Sequence, residues 1–170
     1  MRLGRQRLNA RPSTIHKRGL ECIRIWRYVA NPIDEDSHEI KQLGGRRRAL
    51  RAMGIHNVLV VEDDADIRLL VGGMFRDIGC IVREAEHGQH ALDVLIVERW
   101  RPNVILLDIR MPVMDGITFL ARKREAGDLS AIPVIIVSAT ARAPIDGACC
   151  VLPKPVDTDD LLRAVEKHAH

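Results

Sequence analysis

Residues 104–116 read VILLDIRMPVMDG, and this stretch decides the fold that the sequence predicts. It begins with branched apolar residues at 104–107, and such a run beside turn-forming residues predicts a buried β-strand. The predicted strand ends at Asp108. In a parallel α/β sheet, the carboxyl ends of the strands form the edge where ligands bind. We therefore expect Asp108 to lie at the mouth of such a sheet and to face a ligand.

Polar groups follow three other predicted strands, and they would meet at the same edge. Glu62 and Asp63 follow the first apolar run of the domain, while Ser138 and Lys154 follow the last two. Adjacent carboxylates repel each other, and a divalent cation relieves that repulsion. Oxygen ligands with open positions favour Mg²⁺, which keeps several of its waters. The acidic pair therefore predicts a magnesium site.

Asp108 is the candidate nucleophile of this site. Carboxylates can form acyl phosphates. The charge that develops on a transferring phosphoryl group has to be neutralised by metal ions and cationic side chains. Lys154 supplies a compact positive charge, and the hydroxyl of Ser138 can donate a hydrogen bond to a phosphoryl oxygen. The set predicts metal-assisted phosphoryl transfer onto Asp108.

From residue 55 onward, apolar runs alternate with segments of helical periodicity. In the first such segment Asp64 can cap the helix and Gly79 can end it, and the apolar residues between them follow the spacing of one helix face. Asp115 and Gly116 are interpreted as a turn and the start of a later helix. Strands that alternate with helices predict a doubly wound parallel sheet with helices on both faces.

Charge divides the chain into two parts. Residues 1–54 contain 13 of the 26 Lys and Arg and 5 of the 23 Asp and Glu, a net charge of +8. Residues 55–170 contain the other 13 basic and 18 acidic residues, a net charge of −5, and are predicted to form the folded domain. The basic extension has three open interpretations: an arm that binds nucleic acid or acidic lipid, a flexible tail, or an over-extended start with Met53 as the true first residue.

Several classes of protein are excluded by what the sequence lacks. No apolar run approaches the roughly 20 residues that a membrane-spanning helix needs, and the N-terminus has no apolar segment of a secretory signal. The four cysteines show no metal-ligand spacing. These features predict a cytoplasmic protein without a membrane partner.

The motifs together resemble the receiver domain of two-component response regulators, over residues 55–170. The resemblance rests on VLVVEDD at 58–64, LDIRMPVMDG at 107–116, VSA at 137–139 and PKP at 153–155. It implies a stand-alone, single-domain module whose five-stranded parallel sheet has the flavodoxin-like order 2-1-3-4-5. Such a module is a bacterial phosphorelay regulator that phosphorylates and dephosphorylates itself, and it is not a turnover enzyme.

The resemblance also assigns roles to the residues of the site. Asp108 would accept the phosphoryl group of a histidine kinase or histidine phosphotransfer protein, and would then switch the binding of an unknown downstream protein or relay the phosphate. Ser138 and Lys154 would bind phosphoryl oxygens. The implied Mg²⁺ ligands are Asp63, Asp108 and the backbone carbonyl of Arg110, with Glu62 acting mainly through water.

Two features depart from the family pattern. An aromatic residue that changes rotamer on phosphorylation usually lies three positions before the lysine, where this chain has Val151. The segment between Ser138 and Lys154 is also short, and Pro144 and Gly147 interrupt it. The family's fourth helix, which lies between its last two strands, is therefore predicted to be shortened or absent.

Two other functions compete with this interpretation. Asp64 and Asp66 match the Asp-x-Asp of haloacid-dehalogenase-like phosphatases, but Asp64 lies beyond the strand end and Asp108 would then have no role. The other alternative is a nucleic-acid-binding protein that uses the basic N-terminal arm.

Overall fold

The computed structural model describes residues 54–169 together with Gly45 and Ala52. The predicted N-terminal extension, residues 1–54, with its alternative start at Met53, lies almost entirely outside these described residues. The three interpretations of that extension, nucleic-acid binding among them, therefore stay predictions.

Five strands, four α-helices and one 3₁₀ helix make up the described domain. In chain order they are β1 (Asn57–Val61), α1 (Ala65–Asp77), β2 (Ile81–Ala85), α2 (Gly88–Ile96), β3 (Val104–Leu107), α3 (Gly116–Glu125), the 3₁₀ helix (Gly127–Ala131), β4 (Val134–Ser138), β5 (Cys150–Pro153) and α4 (Thr158–His168). Within the described ranges, no helix combines the length and the apolar character that a membrane span requires.

All strands of the sheet are parallel, and their order is β2-β1-β3-β4-β5, which confirms the predicted fold. The register brings the strand ends level, since Val61 is opposite Leu107 and Ser138 is opposite Pro153. The residues that follow these positions are therefore neighbours across the carboxyl edge of the sheet.

Helices cover both faces of the sheet and divide the core into two layers. Val58 and Val60 of β1 face a layer that also contains apolar side chains of α1 and α4. Leu59 and Val61 face the opposite layer, which contains side chains of α2 and α3. Because successive residues of a strand point to opposite faces, the central strands β1, β3 and β4 of a sheet covered on both sides need to be apolar almost throughout. This requirement explains the unbroken apolar runs of the sequence.

The predicted helix caps are present. The Asp64 side chain accepts hydrogen bonds from the backbone N–H of Asp66 at 2.9 Å and of Ile67 at 3.1 Å, so Asp64 begins α1. Asp115 begins α3 in the same way by accepting from Thr118 at 2.7 Å. These bonds satisfy backbone donors that a helix N-terminus otherwise leaves without partners.

The connection between β4 and β5, residues 139–149, contains turns and bends and no helix, which confirms the prediction for the family's fourth helix. Ile145 and Ala148 of this connection pack against the α2 and α3 layer. An ion pair between Arg124 and Asp146 also links it to α3. The apolar run at 149–152 predicts the last strand, and the structure has β5 one residue later, at Cys150–Pro153.

Candidate functional site

The polar residues predicted to share one edge of the sheet lie at the ends of four strands. Glu62 and Asp63 follow β1, Asp108 follows β3, Ser138 is the last residue of β4, and Lys154 follows β5. The sheet ladder continues past these ends, because the Asp108 N–H donates to the Val61 carbonyl at 2.9 Å and the Lys154 N–H to the Ser138 carbonyl at 2.9 Å. The backbone itself therefore holds these residues side by side.

Lys154 is the centre of a buried ion cluster. Its Nζ lies 2.7 Å from Glu62 Oε2 and 2.8 Å from Asp108 Oδ2. The exposed fractions of the three side chains are only 5%, 8% and 11% for Lys154, Glu62 and Asp108. Charges that are buried to this degree are stable only when they are paired, so each member of the cluster holds the others in place.

The close charges change the acidity of two members of the cluster. Burial is the main reason that the pKa of Glu62 rises from an ordinary value of 4.5 to about 7; Lys154 opposes this rise, and Asp108 and Asp63 add to it. Burial alone would lower the pKa of Lys154, but the negative charges of Glu62 and Asp108 outweigh it and raise the pKa. Lys154 therefore stays protonated as a cation.

The carboxylate of Asp108 is held at both of its oxygens. Oδ2 accepts from Lys154, while Oδ1 accepts from the backbone N–H of Ile109 at 2.6 Å and of Arg110 at 3.4 Å. A carboxylate fixed in this way is oriented before any ligand arrives, which lowers the entropic cost of a reaction at its oxygens.

Three carboxylates of the site could share one cation. One oxygen each from Glu62, Asp63 and Asp108 lie within 4.8 Å of one another. Asp63 is exposed, Asp108 is half-buried and Glu62 is buried, so the cluster faces solvent on one side. Hard oxygen ligands with an open side fit Mg²⁺, which binds few carboxylates and keeps water in its other positions. Arg110, whose carbonyl is the predicted fourth ligand, is an exposed residue two positions beyond Asp108.

Ser138 is almost fully buried at the end of β4. Its hydroxyl lies 3.3 Å from Thr140 Oγ1 and accepts from the backbone N–H of Thr140 at 3.3 Å and of Ala141 at 3.5 Å. These partners of the Ser138 hydroxyl all belong to its own loop. Its predicted contact with a phosphoryl oxygen requires a bound phosphoryl group and stays a prediction.

The phosphatase alternative finds little support in the position of its Asp-x-Asp pair. Asp64 is the cap of α1, and the backbone N–H of Asp66 is one of the two groups that it binds. Asp64 is therefore occupied in helix capping, as the sequence predicted.

One residue near the site was not anticipated from the sequence. Arg68, on the first turns of α1, donates from Nη1 to the backbone carbonyl of Glu62 at 2.6 Å and to that of Asp63 at 3.2 Å. The available signal was the spacing of Arg68, Gly72 and Arg76, which repeats every four residues along one face of α1.

A methyl group at Gly116 would collide with the backbone that carries Asp108. A Cβ there would lie 2.5 Å from the carbonyl oxygen of Asp108 and 2.9 Å from the Cα of Ile109. We therefore expect Gly116→Ala to lower the free energy of unfolding by about 1–3 kcal/mol, the usual cost of overpacking. Urea denaturation measures this change.

The control is Gly73→Ala, where the added Cβ meets no atom within 4 Å and stability should be kept or raised. Equal stability of the two variants would contradict the prediction.

Comparison with known proteins agrees with this arrangement. Residues 58–166 match the family described as "Response regulator receiver domain". The chain belongs to this family. The matched residues include Glu62, Asp108 and Lys154, so the ion cluster lies within the receiver domain.

Three relatives of the receiver domain, all from bacteria, show the extent of the similarity. Sporulation initiation phosphotransferase F from Bacillus subtilis (strain 168) is 34% identical over 117 residues, which are 65% of this chain and 91% of that protein. The chemotaxis protein CheY4 of Vibrio cholerae has a TM-score of 0.61 and 28% identity, and the match covers 67% of this chain and 98% of that one. The structure of a CheX-CheY-BeF3-Mg+2 complex from Borrelia burgdorferi has a TM-score of 0.63 and 28% identity, covering 72% and 96%.

These relatives establish the general function of the receiver domain as a phosphoacceptor signalling module with a regulatory role. Domains of this family interact with histidine kinases or phosphotransfer proteins and bind Mg²⁺ at an acidic pocket. This chain has an acidic cluster of Glu62, Asp63 and Asp108 at the carboxyl edge of its sheet.

Proposed function

We propose that Asp108 is the phosphoacceptor of this receiver domain and that Mg²⁺ is its cofactor. The observation that carries the proposal is the pairing of the Asp108 carboxylate with Lys154 beside two further carboxylates. Asp63, Asp108 and the backbone carbonyl of Arg110 would bind the cation directly, and Glu62 would act mainly through water. The bound cation would neutralise charge on the phosphoryl oxygens.

The residues of the chain divide the remaining chemistry among them. A carboxylate oxygen of Asp108 attacks the phosphorus atom of a phosphohistidine, so that a P–O bond forms while the P–N bond breaks and the imidazole leaves. The Lys154 ammonium, which lies 2.8 Å from Asp108 Oδ2, then donates a hydrogen bond to a phosphoryl oxygen and stays protonated. The Ser138 hydroxyl donates to a second oxygen. Charge stabilisation by prepositioned donors is the main contribution expected of such a site.

The phosphoryl donor would be a sensor histidine kinase or a histidine phosphotransfer protein, and the product would act on a downstream protein or pass the phosphate on. A cytoplasmic location and the absence of substrate turnover belong to the same proposal. Val151 lies half-buried against the α2 and α3 layer and has no ring. Phosphorylation would therefore be recognised without the aromatic rotamer change that is usual in the family.

Metal removal tests the proposal. With Mg²⁺ and a small phosphodonor such as acetyl phosphate, we expect one acid-stable, base-labile phosphate per chain, seen by intact mass. With EDTA in place of Mg²⁺ we expect almost none, because the charge of the incoming group would not be neutralised. Adding Mg²⁺ back to the same sample is the control. Equal incorporation with and without the cation would contradict the assigned cofactor.

A further inference from the structure

Arg68 joins helix α1 to the backbone that carries the acidic pair. Its Nη1 donates to the carbonyl of Glu62 at 2.6 Å and to that of Asp63 at 3.2 Å, and its side chain is only 17% exposed. These two carbonyls belong to the turn between β1 and α1. A planar guanidinium that binds two successive carbonyls restricts the rotation of the peptide units between them.

A carboxylate on the neighbouring strand lies beside this arginine. Glu84 of β2 has Oε2 at 3.9 Å from Arg68 Nε, and its other oxygen, Oε1, lies 2.5 Å from Arg76 Nη2. Glu84 therefore lies between two arginines that are eight residues apart on α1. We call this group the Arg68–Glu84–Arg76 ion chain.

Gly72 provides the space that the ion chain occupies. It lies midway between the two arginines on the same face of α1. A Cβ at this position would be 2.4 Å from Glu84 Oε1 and 3.0 Å from Arg76 Nη1. The bare helix surface at Gly72 thus lets the Glu84 carboxylate approach α1. A larger residue would have to push it away.

We propose that Arg68 is a positioning residue of the magnesium site, and that Glu84 holds it in place. By fixing the main chain of Glu62 and Asp63, Arg68 keeps their carboxylates directed toward Asp108. The negative charge of Glu84 offsets the positive charge of the Arg68 guanidinium. Arg68 therefore binds the backbone carbonyls of the loop and does not pair with the carboxylates that would bind Mg²⁺. This inference rests on the proposed function, because it concerns the cation that Asp63 and Asp108 would bind.

Two roles of Arg68 would have opposite effects on cation binding. A positive charge near the site repels Mg²⁺, so removal of the charge alone would raise the affinity. Removal of an orienting contact would lower it, because residues that support metal ligands typically contribute about 10–100-fold to metal affinity. The sign of the change therefore separates positioning from electrostatics.

The first experiment measures Mg²⁺ affinity of the full chain by isothermal titration calorimetry. We expect Arg68→Gln to weaken binding by about tenfold and Arg68→Lys to recover part of the loss. The matched control is Arg76→Gln. Arg76 pairs with Glu84 as Arg68 does, but its hydrogen bond goes to Glu84 and not to the loop of Glu62 and Asp63. The affinity of this variant should stay within about twofold of the wild type, since exposed charges act weakly.

The second experiment moves Glu84 without removing any charge. Gly72→Ala inserts a methyl group against the Glu84 carboxylate, whereas Gly73→Ala meets open space on the same helix. Both changes favour the helix by up to about 1 kcal/mol, since alanine is the better helix former. We expect Gly72→Ala to weaken Mg²⁺ binding severalfold and Gly73→Ala to leave it unchanged.

Unchanged or tighter Mg²⁺ binding in both Arg68→Gln and Gly72→Ala would overturn the inference. Weakened binding in the two control variants as well would also overturn it, because the effect would then follow general stability. A wild-type protein that binds no Mg²⁺ would instead contradict the proposed function, and the inference about Arg68 would fall with it.

Discussion

Replacing Asp108 by alanine is expected to abolish phosphate incorporation from a small phosphodonor. No other carboxylate of the described residues is held both by Lys154 and by two backbone N–H groups, as Asp108 is. Loss of the nucleophile should lower the rate of phosphate incorporation by at least about 10³-fold, since removal of the attacking group in enzymes costs that much or more. Intact mass after incubation with Mg²⁺ and acetyl phosphate measures the result.

The matched control for this experiment is Asp66→Ala. Asp66 is exposed on the first turn of α1, and its backbone rather than its carboxylate takes part in the cap of that helix. This variant should still take up one phosphate per chain. A full phosphate on Asp108→Ala, stable to acid and lost in base, would show that another carboxylate is the acceptor.

Lys154→Met is expected to destabilise the metal-free protein by about 3–5 kcal/mol, the usual cost of breaking a buried ion pair. The change leaves Glu62 and Asp108 close together with no cation between them. Since a domain of this size has a total stability of about 5–15 kcal/mol, the loss is large. Urea denaturation in EDTA measures it. Phosphate incorporation should also fall sharply, because the positive charge for the phosphoryl oxygens is lost.

The loss of stability in Lys154→Met should be larger at high pH than at low pH. Glu62 has a folded-state pKa of about 7, above its ordinary 4.5, so the folded protein binds more protons than the unfolded chain between these values. Stability contributed by this proton is present at low pH and disappears as pH rises through 7. Without Lys154 the folded-state pKa of Glu62 should rise further. The free energy of unfolding of the variant should therefore be much lower at pH 8 than at pH 5.5.

An exposed lysine provides the control for both measurements. Lys167 lies in the last turn of α4 with its side chain in solvent, so Lys167→Met should change the free energy of unfolding little. If Lys154→Met were as stable as this control at pH 8, the ion cluster would not be the source of the stability assigned to it.

The main features of the site could be predicted from the sequence because they depend on strand ends. Apolar runs with polar residues directly after them located Glu62, Asp63, Asp108 and Lys154, and parallel strands necessarily bring such positions to one edge. The missing helix between β4 and β5 was predictable too, since Pro144 and Gly147 interrupt a segment that is already short.

Contacts between elements that are distant in the chain could not be read from local patterns. The ion chain on α1 requires that β2 pairs with β1 so that Glu84 is opposite Val60, and periodicity along the chain does not contain this register. Lys123 is a second case. A lysine in the last turn of a helix is normally a surface residue, yet Lys123 is 3% exposed and its Nζ donates to the Ser130 carbonyl at 3.1 Å. The burial follows from the way the 3₁₀ helix packs against α3.

The ion cluster around Lys154 has a consequence that follows from formal charge alone. With every group ionised, the carboxylates of Glu62, Asp63 and Asp108 and the Lys154 ammonium leave an excess of two negative charges. A divalent ion cancels that excess, whereas a monovalent one leaves half of it. Conversion of a carboxylate to an acyl phosphate dianion then adds one further negative charge. The unphosphorylated and phosphorylated domains therefore differ by one elementary charge at this edge of the sheet, and a partner protein can distinguish them by that difference.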